Sequence, residues 1–244
     1  MRKASRENKP LKAIPNGFLE RFDSAPGNKQ IRENMRAIGV KSFMEKNFHT
    51  YEFQGEWKES FGEPEKNFKM ILYGGSGEGK TEFMVKFAKY FGVNFGKVSY
   101  ISPEQGISKS LQDAIIRNNM EEAAGKVMFL SGGIFDEVVE YIKKSKSRVI
   151  IIDSLDYMKL TVDQFKILIK TFPKKAFIII AWAKNGSPKS QHAKDIEFMC
   201  DIKSLVENFT ITLPTSRFGG NKPFVIWDNG KKAVKQVDLF NQEI

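Results

Sequence analysis

The chain contains a single cysteine, Cys200, among its 244 residues. One thiol cannot form an internal disulfide, and it is too few for a zinc site built on cysteines. Long apolar runs are also missing, because the longest, Ala176 to Ala183, is far shorter than the roughly 20 residues that span a bilayer. The basic N-terminus lacks the apolar segment of a secretory signal. These absences predict a cytoplasmic protein with no membrane partner.

Positive charge is abundant and unevenly distributed. The chain carries a net charge of +10, and residues 140–235 hold 18 basic and 9 acidic side chains. Residues 67–139, by contrast, hold 8 of each sign. A basic region of this kind favours a polyanionic partner such as nucleic acid, and a solvated basic surface is the alternative.

The region from residue 67 alternates short apolar runs with helical segments, which is typical of βαβ units and a buried parallel sheet. We therefore predict an α/β fold with a mostly parallel central sheet flanked by helices. The predicted strands cover residues 68–73, 97–102, 126–130, 148–153 and 176–182, and the predicted helices cover 79–91, 107–119, 134–144 and 161–171. Strand-like segments at 203–213, 223–227 and 232–238 are expected to add antiparallel strands at the C-terminus.

The first 66 residues differ from the rest and are expected to form a basic arm and an N-terminal extension, a candidate oligomerisation element. The remaining residues, 67–244, are expected to form the core domain. Within the extension, residues 47–57 (NFHTYEFQGEW) favour an extended aromatic segment. Its aromatic side chains, Tyr51, Phe53 and Trp57, are expected in the core or in an interface rather than as a platform for nucleic-acid bases.

Residues 74–81 read GGSGEGKT and fit the phosphate-loop pattern G-x-x-x-x-G-K-[ST]. Its glycines let backbone N–H groups turn toward a polyphosphate, and the helix that follows adds the positive end of its dipole. Lys80 has the reach and charge to contact the β- and γ-phosphates. Glu78 and Glu82 are expected to face solvent. The predicted nucleotide-binding residues are Gly74, Gly75, Ser76, Gly77, Glu78, Gly79, Lys80, Thr81 and Glu82.

Two carboxylates complete the chemistry that the loop implies. Asp153 ends the apolar strand VIIID, and with the Thr81 hydroxyl it is expected to hold Mg²⁺. Glu104 follows the second strand in VSYISPEQG, at the edge where ligands of such sheets bind. Because hydrolysis needs a group that activates water, Glu104 is the candidate general base.

The phosphate loop, Glu104 after the next strand and the segment IIDS resemble the RecA-like branch of P-loop ATPases, which includes RecA, the RadA repair ATPases and the DnaB-type helicases. The segment SRFGG at 216–220 is similar to the K-N-R-F-G of RadA. The whole chain also looks like the short RecA-like ATPases encoded by phages and mobile elements. This resemblance implies a RecA-like core that binds ATP and Mg²⁺ and assembles into a homo-oligomer.

Arg217 matches the family's arginine, which reaches into the ATP site of a neighbouring subunit, so the resemblance implies a catalytic role in trans. The chain departs from the family at two positions. Thr215 stands where a lysine is common, and Trp182 stands where RadA proteins place a polar sensor. Lys184 or Asn185 are the residues expected to replace that sensor.

In RecA-like proteins, loops at the end of these strands contact DNA. Here the corresponding loop is AKNGSPKSQHAKD, residues 183–195, which is expected to be mobile and to order on phosphates. An ordinary solvated loop is the alternative. The predicted DNA-binding residues are Lys184, Lys189, His192 and Lys194. No motif for reading bases accompanies them, so we expect DNA binding, single- or double-stranded, without sequence specificity.

The leading hypothesis is therefore an oligomeric, DNA-associated ATPase of replication, recombination or repair. A replication or recombination protein is a further expected partner, and residues 22–25 (FDSA) match a peptide by which strand-exchange recombinases dock on a neighbouring subunit. One alternative is a nucleotide or polynucleotide kinase, although the second half is rich in lysine rather than in the arginine of kinase lids. The other is an ATP-gated assembly factor that recruits a helicase or recombinase.

Overall fold

The computed structural model describes residues 37–104 and 106–227. The chain divides into two compact units, Met1–Asn47 and Phe48–Ile244. The described part of the first unit contains the short helix α1 (Val40–Met44), none of whose residues is buried. The predicted docking peptide at 22–25 and the predicted strand at 232–238 lie outside the described residues.

The second unit is built around a central sheet. Its strands are β1 (Lys69–Gly74), β2 (Val98–Ser102), β3 (Val127–Ser131), β4 (Val149–Asp153), β5 (Ala176–Lys184), β6 (Ser187–Pro188), β7 (Ile202–Glu207), β8 (Thr210–Ser216) and β9 (Phe224–Val225). Its helices are α2 (Gly55–Phe61), α3 (Lys80–Asn94), α4 (Lys109–Arg117), α5 (Phe135–Lys144), α6 (Leu155–Met158), α7 (Val162–Thr171) and α8 (Gln191–Met199), with a 3₁₀ turn at Met120–Ala123.

The strands lie in the order β3-β2-β4-β5-β1-β7-β8-β9, and β6 pairs with the end of β5. The first six of these pair in parallel, whereas β8 and β9 are antiparallel additions. The predicted fold class is confirmed, as are the five predicted strands and four predicted helices between residues 68 and 182. Parallel strands run in one direction, so their carboxyl ends gather at a single edge of the sheet.

Both faces of the sheet are covered, which explains why its central strands are continuous apolar runs. Side chains alternate between the faces, so that Leu72 of β1 belongs to one core and Ile71 to the other. Helices α2, α3 and α4 cover the first face, and helices α5 to α8 cover the second. Helices α4, α7 and α8 begin at Ser108, Thr161 and Ser190, whose hydroxyls accept backbone N–H bonds of the first turn.

Aromatic packing joins the segment before β1 to helix α3. Tyr51 is 4% exposed, and its ring lies 4.8 Å from that of Phe91. Trp57 stacks on Tyr90 with ring centroids 4.7 Å apart. Burial of Tyr51, Phe53 and Trp57 confirms the core interpretation, although Trp57 lies on helix α2 rather than in an extended segment.

The C-terminal strands differ from the sequence prediction of one strand over 203–213. Instead β7 pairs in parallel with β1, and a two-residue turn then reverses the chain into β8. Asn208 and Phe209 form that turn with φ of 49° and 54°, the left-handed values that a tight hairpin requires. The turn lies at the same edge of the sheet as the end of β1, because β7 runs parallel to β1.

Candidate functional site

A cavity of about 620 Å³ opens at the carboxyl edge of the sheet. Its lining brings together residues that are far apart in the sequence and follow β1, β2, β4 and β5. The lining residues are Gly74, Ser76, Gly77, Gly79, Lys80, Thr81, Glu82, Glu104, Ser110, Ala114, Arg117, Asp153, Ser154, Trp182, Ala183, Lys189, Phe209 and Trp227. This volume is in the range of small-molecule and cofactor sites.

The predicted phosphate loop lies between β1 and α3 and forms one wall of the cavity. Gly79 directly precedes the 15-residue helix α3 and has φ of 100°, which a side chain rarely allows. A Cβ on Gly79 would also lie 3.0 Å from the Phe209 ring, and one on Gly74 would lie 2.6 Å from the Val206 carbonyl oxygen. Glycine is therefore required at both positions, and the N-terminus of α3 is left open to an anion.

Lys80 projects back over the loop. Its Nζ donates hydrogen bonds to the carbonyl oxygens of Gly74, at 3.0 Å, and Gly75, at 2.5 Å. Burial lowers the pKa of Lys80, and the charges of Asp153 and Glu104 oppose that shift. The ammonium thus lies between the loop and the two carboxylates, where a polyphosphate would meet a localised positive charge.

Asp153 is 5% exposed at the end of β4. The hydroxyl of Tyr100 donates to its Oδ2 at 2.6 Å, and the Thr81 hydroxyl also hydrogen-bonds Tyr100. Burial raises the pKa of Asp153, while the Tyr100 bond opposes the shift. Burial raises the pKa of Tyr100 as well, so its hydroxyl stays protonated and available as a donor. Tyr100 therefore links the two predicted magnesium ligands.

These residues fit a magnesium ion bound together with phosphate. Thr81 and Asp153 supply hard oxygen donors, and a nearby cation would compensate the buried carboxylate. Within residues 37–104 and 106–227, no cluster of three or more His, Cys, Asp or Glu side chains is arranged to hold a metal ion. A site with so few protein ligands suits Mg²⁺, which keeps waters and takes phosphate oxygens, better than zinc.

Glu104 faces the same cavity and is held by two donors. The Ser154 hydroxyl donates to its Oε2 at 2.5 Å, and the indole Nε1 of Trp182 donates to the same oxygen at 3.3 Å. The backbone N–H of Trp182 is fixed in turn by Asp156 Oδ2 at 2.7 Å. Trp182 itself thus makes the polar contact that the family resemblance led us to expect from Lys184 or Asn185.

The expectation that Glu82 faces solvent is wrong. Its side chain is 12% exposed and accepts hydrogen bonds from Arg117, at 2.8 Å, and from the Asn118 amide, at 2.7 Å. Glu78 is half-buried, and its carboxylate accepts the backbone N–H of Asn208 in the β7–β8 turn. Both carboxylates therefore have structural partners beside the loop.

Arg217 does not line the cavity of its own chain. It follows β8, which runs antiparallel to β7 and ends at the opposite, amino edge of the sheet. There the guanidinium is 67% exposed and lies 3.3 Å from Asp201 Oδ1. The geometry leaves a contribution to an ATP site open only between chains.

The predicted DNA-binding loop at 183–195 is not an irregular segment. Asn185 and Gly186, with φ of 53° and 70°, form a tight turn between β5 and β6, and α8 begins at Gln191. Of the four predicted residues, Lys184 ends β5, and His192 and Lys194 lie in the first turn of α8. Lys189 lines the cavity, with its Nζ 5.0 Å from the centroid of the Trp182 ring. All four side chains are exposed.

Sequence reasoning missed several residues of the site. Tyr100 and Ser154 hold the carboxylates Asp153 and Glu104, and their only sequence signal was a polar group at or beside a buried strand end. Phe209 and Trp227 escaped notice because their place in the cavity depends on the β7–β8 turn. No helix in the described ranges, 37–104 and 106–227, has the length and apolar character to cross a membrane.

Comparison with known proteins shows the fold. No protein-family model matches this chain, and no curated protein does. Among solved structures it is similar to the flagellar accessory protein FlaH from Methanocaldococcus jannaschii, with 15% identity and a TM-score of 0.55 over 72% of this chain and 93% of that one. It also matches the ATPase domain of a DnaB-like helicase, with 11% identity and a TM-score of 0.49 over 65% of this chain and 80% of that one. The fold is that of RecA-like P-loop ATPases.

Proposed function

We propose that this chain is a Mg²⁺-dependent ATPase. The observation that carries the proposal is the meeting of Lys80, Thr81, Glu104 and Asp153 around one cavity at the carboxyl edge of a RecA-like fold. Phosphate-binding, metal-binding and water-activating groups are the three components that ATP hydrolysis requires.

Each residue has a defined role in this proposal. The loop N–H groups and Lys80 hold the β- and γ-phosphates, and Glu104 orients the attacking water and accepts its proton. Thr81 and Asp153 would hold Mg²⁺, which bridges phosphate oxygens and neutralises their charge when bound. Ser154 and Trp182 both donate to Oε2, so the second oxygen of Glu104 is the one we assign to the water.

We further propose that the active form is a homo-oligomer. Arg217 is exposed on the edge of the sheet opposite the cavity, and its exposed ion pair with Asp201 is weak enough to exchange for a phosphate of a neighbouring chain. An arginine in that position would stabilise charge on the transferring phosphoryl group. Residues 1–66 are the proposed oligomerisation element, and 67–244 the ATPase core.

DNA is the proposed partner, in replication, recombination or repair. The excess of positive charge in residues 140–235 supports it, as do exposed Lys184 and Lys194 beside the β5–β6 hairpin. The hairpin continues into Trp182, which donates to Glu104, so a phosphate backbone on this surface would lie one strand end away from the proposed base.

ATP turnover with and without DNA tests this function. We expect single- or double-stranded DNA at low salt to increase turnover, and K184A/K194A to weaken that stimulation several-fold. The matched control, K143A/K144A, removes the same charge from exposed positions on α5. Stimulation that is absent at low salt, together with absent DNA binding, would remove DNA from the proposal. Phosphate transfer to a nucleoside or a 5′-hydroxyl end would instead indicate a kinase.

A further inference from the structure

The cavity extends beyond the phosphate loop to a wall of aromatic side chains. Phe209 and Trp227 lie there with ring centroids 5.8 Å apart and planes at 86°. Phe209 is half-buried and Trp227 is 40% exposed, so neither ring is absorbed into the core. An edge-to-face pair leaves one ring face open toward the cavity that both residues line.

The β7–β8 turn fixes Phe209 at this position. Phe209 adopts φ of 54°, a conformation that is unusual for a bulky residue and common for glycine or asparagine. Its Cδ1 lies 3.0 Å from the point where a Cβ on Gly79 would stand, so the ring contacts the last residue before α3. A large apolar ring thus borders the phosphate loop at a position where turn geometry disfavours it.

Arg117 connects the aromatic wall to the phosphate-loop helix. Its guanidinium carbon lies 5.9 Å from the centroid of the Trp227 ring, within the distance of a cation–π contact. The same guanidinium donates to Glu82 in the first turn of α3 at 2.8 Å, and Asn118 donates to that carboxylate as well. Trp227 is therefore held against a charged pair anchored on the helix that would bind the phosphates.

We propose that Phe209 and Trp227 form a stacking platform for the base of the bound nucleotide. This inference rests on the proposed function, because it requires a triphosphate on the loop formed by residues 74–81. Each base offers an apolar face for stacking on an aromatic ring. Purines have a larger face than pyrimidines, so the platform favours ATP over UTP, and Arg117 is a positioning residue that orients Trp227.

Equilibrium binding of ATP and of inorganic tripolyphosphate tests the platform, because only ATP carries a base. In F209A we expect ATP affinity to fall about 5- to 100-fold while tripolyphosphate affinity stays unchanged. W227A should act in the same direction, and W227F should restore most of the affinity. The matched control is F198A, which truncates a phenylalanine on α8 that is 75% exposed and does not line the cavity.

Three results would overturn the inference in distinguishable ways. ATP affinity unchanged in F209A removes the platform and leaves the ATPase proposal intact. Equal losses for ATP and tripolyphosphate show that Phe209 only supports the phosphate loop. If the unaltered protein binds neither compound, the proposed function fails and the platform fails with it. The preference for ATP over UTP gives a separate readout, because the platform predicts that it narrows in F209A.

Discussion

The two edges of the sheet both carry charged groups, but they differ in how those groups are paired. At the amino edge, Asp201 accepts the backbone N–H of Lys69 at 2.9 Å and meets Arg217 at 3.3 Å. Lys175 at the same edge donates to two backbone carbonyls, at 3.0 and 2.6 Å. At the carboxyl edge, Lys80 and Asp153 are buried around a cavity, and their pKa values are displaced chiefly by that burial.

This difference separates stability from function. Charges that are paired within the chain support the fold, whereas buried charges around a cavity cost stability and are retained at sites that bind ligands. Substitutions at the carboxyl edge should therefore reduce activity more than stability, and substitutions at the amino edge should do the reverse, with Arg217 as the exception because its proposed partner is another chain.

The largest effect is expected for K80A. Loss of the loop ammonium should bring ATP turnover below detection, because the charge developing on the phosphates would lack its main counter-charge. Thermal unfolding should change little, since a desolvated cation is removed. K89A on the same helix, which breaks an exposed ion pair with Glu122, is the control and should keep full turnover. Normal turnover in K80A would place catalysis elsewhere.

R217A should lower turnover about a thousandfold in the assembled protein, the range of an arginine supplied in trans. Its exposed ion pair with Asp201 contributes little, so the melting temperature should stay within a degree or two. Mixing R217A with K80A tests the direction of the contact. Partial recovery of turnover in the mixture indicates action between chains, and no recovery at any ratio would argue against it.

Y100F should have an intermediate effect. It removes the hydroxyl that joins Thr81 to Asp153, and the loss of such an outer-sphere bond costs about tenfold in metal affinity or activity. We expect the Mg²⁺ concentration for half-maximal turnover to rise about tenfold, measured in a magnesium titration. Y141F, which removes a hydroxyl bound to Ser99 far along β2, is the control. An unchanged magnesium requirement would separate Tyr100 from the metal site.

The smallest effect on activity is expected for K175A. It leaves the Ser145 and Ser147 carbonyls without their lysine donor and should lower the free energy of unfolding by about 1–2 kcal/mol. ATP turnover per folded molecule should be unchanged. Chemical denaturation and turnover on one preparation measure both quantities, and a loss of turnover without a loss of stability would erase the distinction between the edges.

The convergence of Lys80, Thr81, Glu104 and Asp153 could be predicted because the carboxyl ends of parallel strands meet at one edge. Tyr100 could not, since its hydroxyl reaches Asp153 only through the pairing of β2 with β4. The Asn185-Gly186 hairpin carried a recognised turn signal that was outweighed by the polar composition of residues 183–195.

Phe209 was the hardest to find from the sequence. The apolar pattern of residues 203–213 hides a two-residue turn, because a phenylalanine at a left-handed position runs against local preference. The turn becomes visible only when β7 is placed beside β1, since that pairing ends β7 at the edge that carries the phosphate loop.

The most direct test is phosphate release by E104Q, measured together with ATP binding on the same sample. Glutamine keeps the shape of the side chain but is a far weaker base, so we expect ATP affinity like that of the unaltered protein and phosphate release at least about a hundredfold slower. E78Q, which alters a carboxylate beside the loop, serves as the control and should release phosphate normally. Phosphate release by E104Q at the unaltered rate would contradict the assignment of Glu104 as the base.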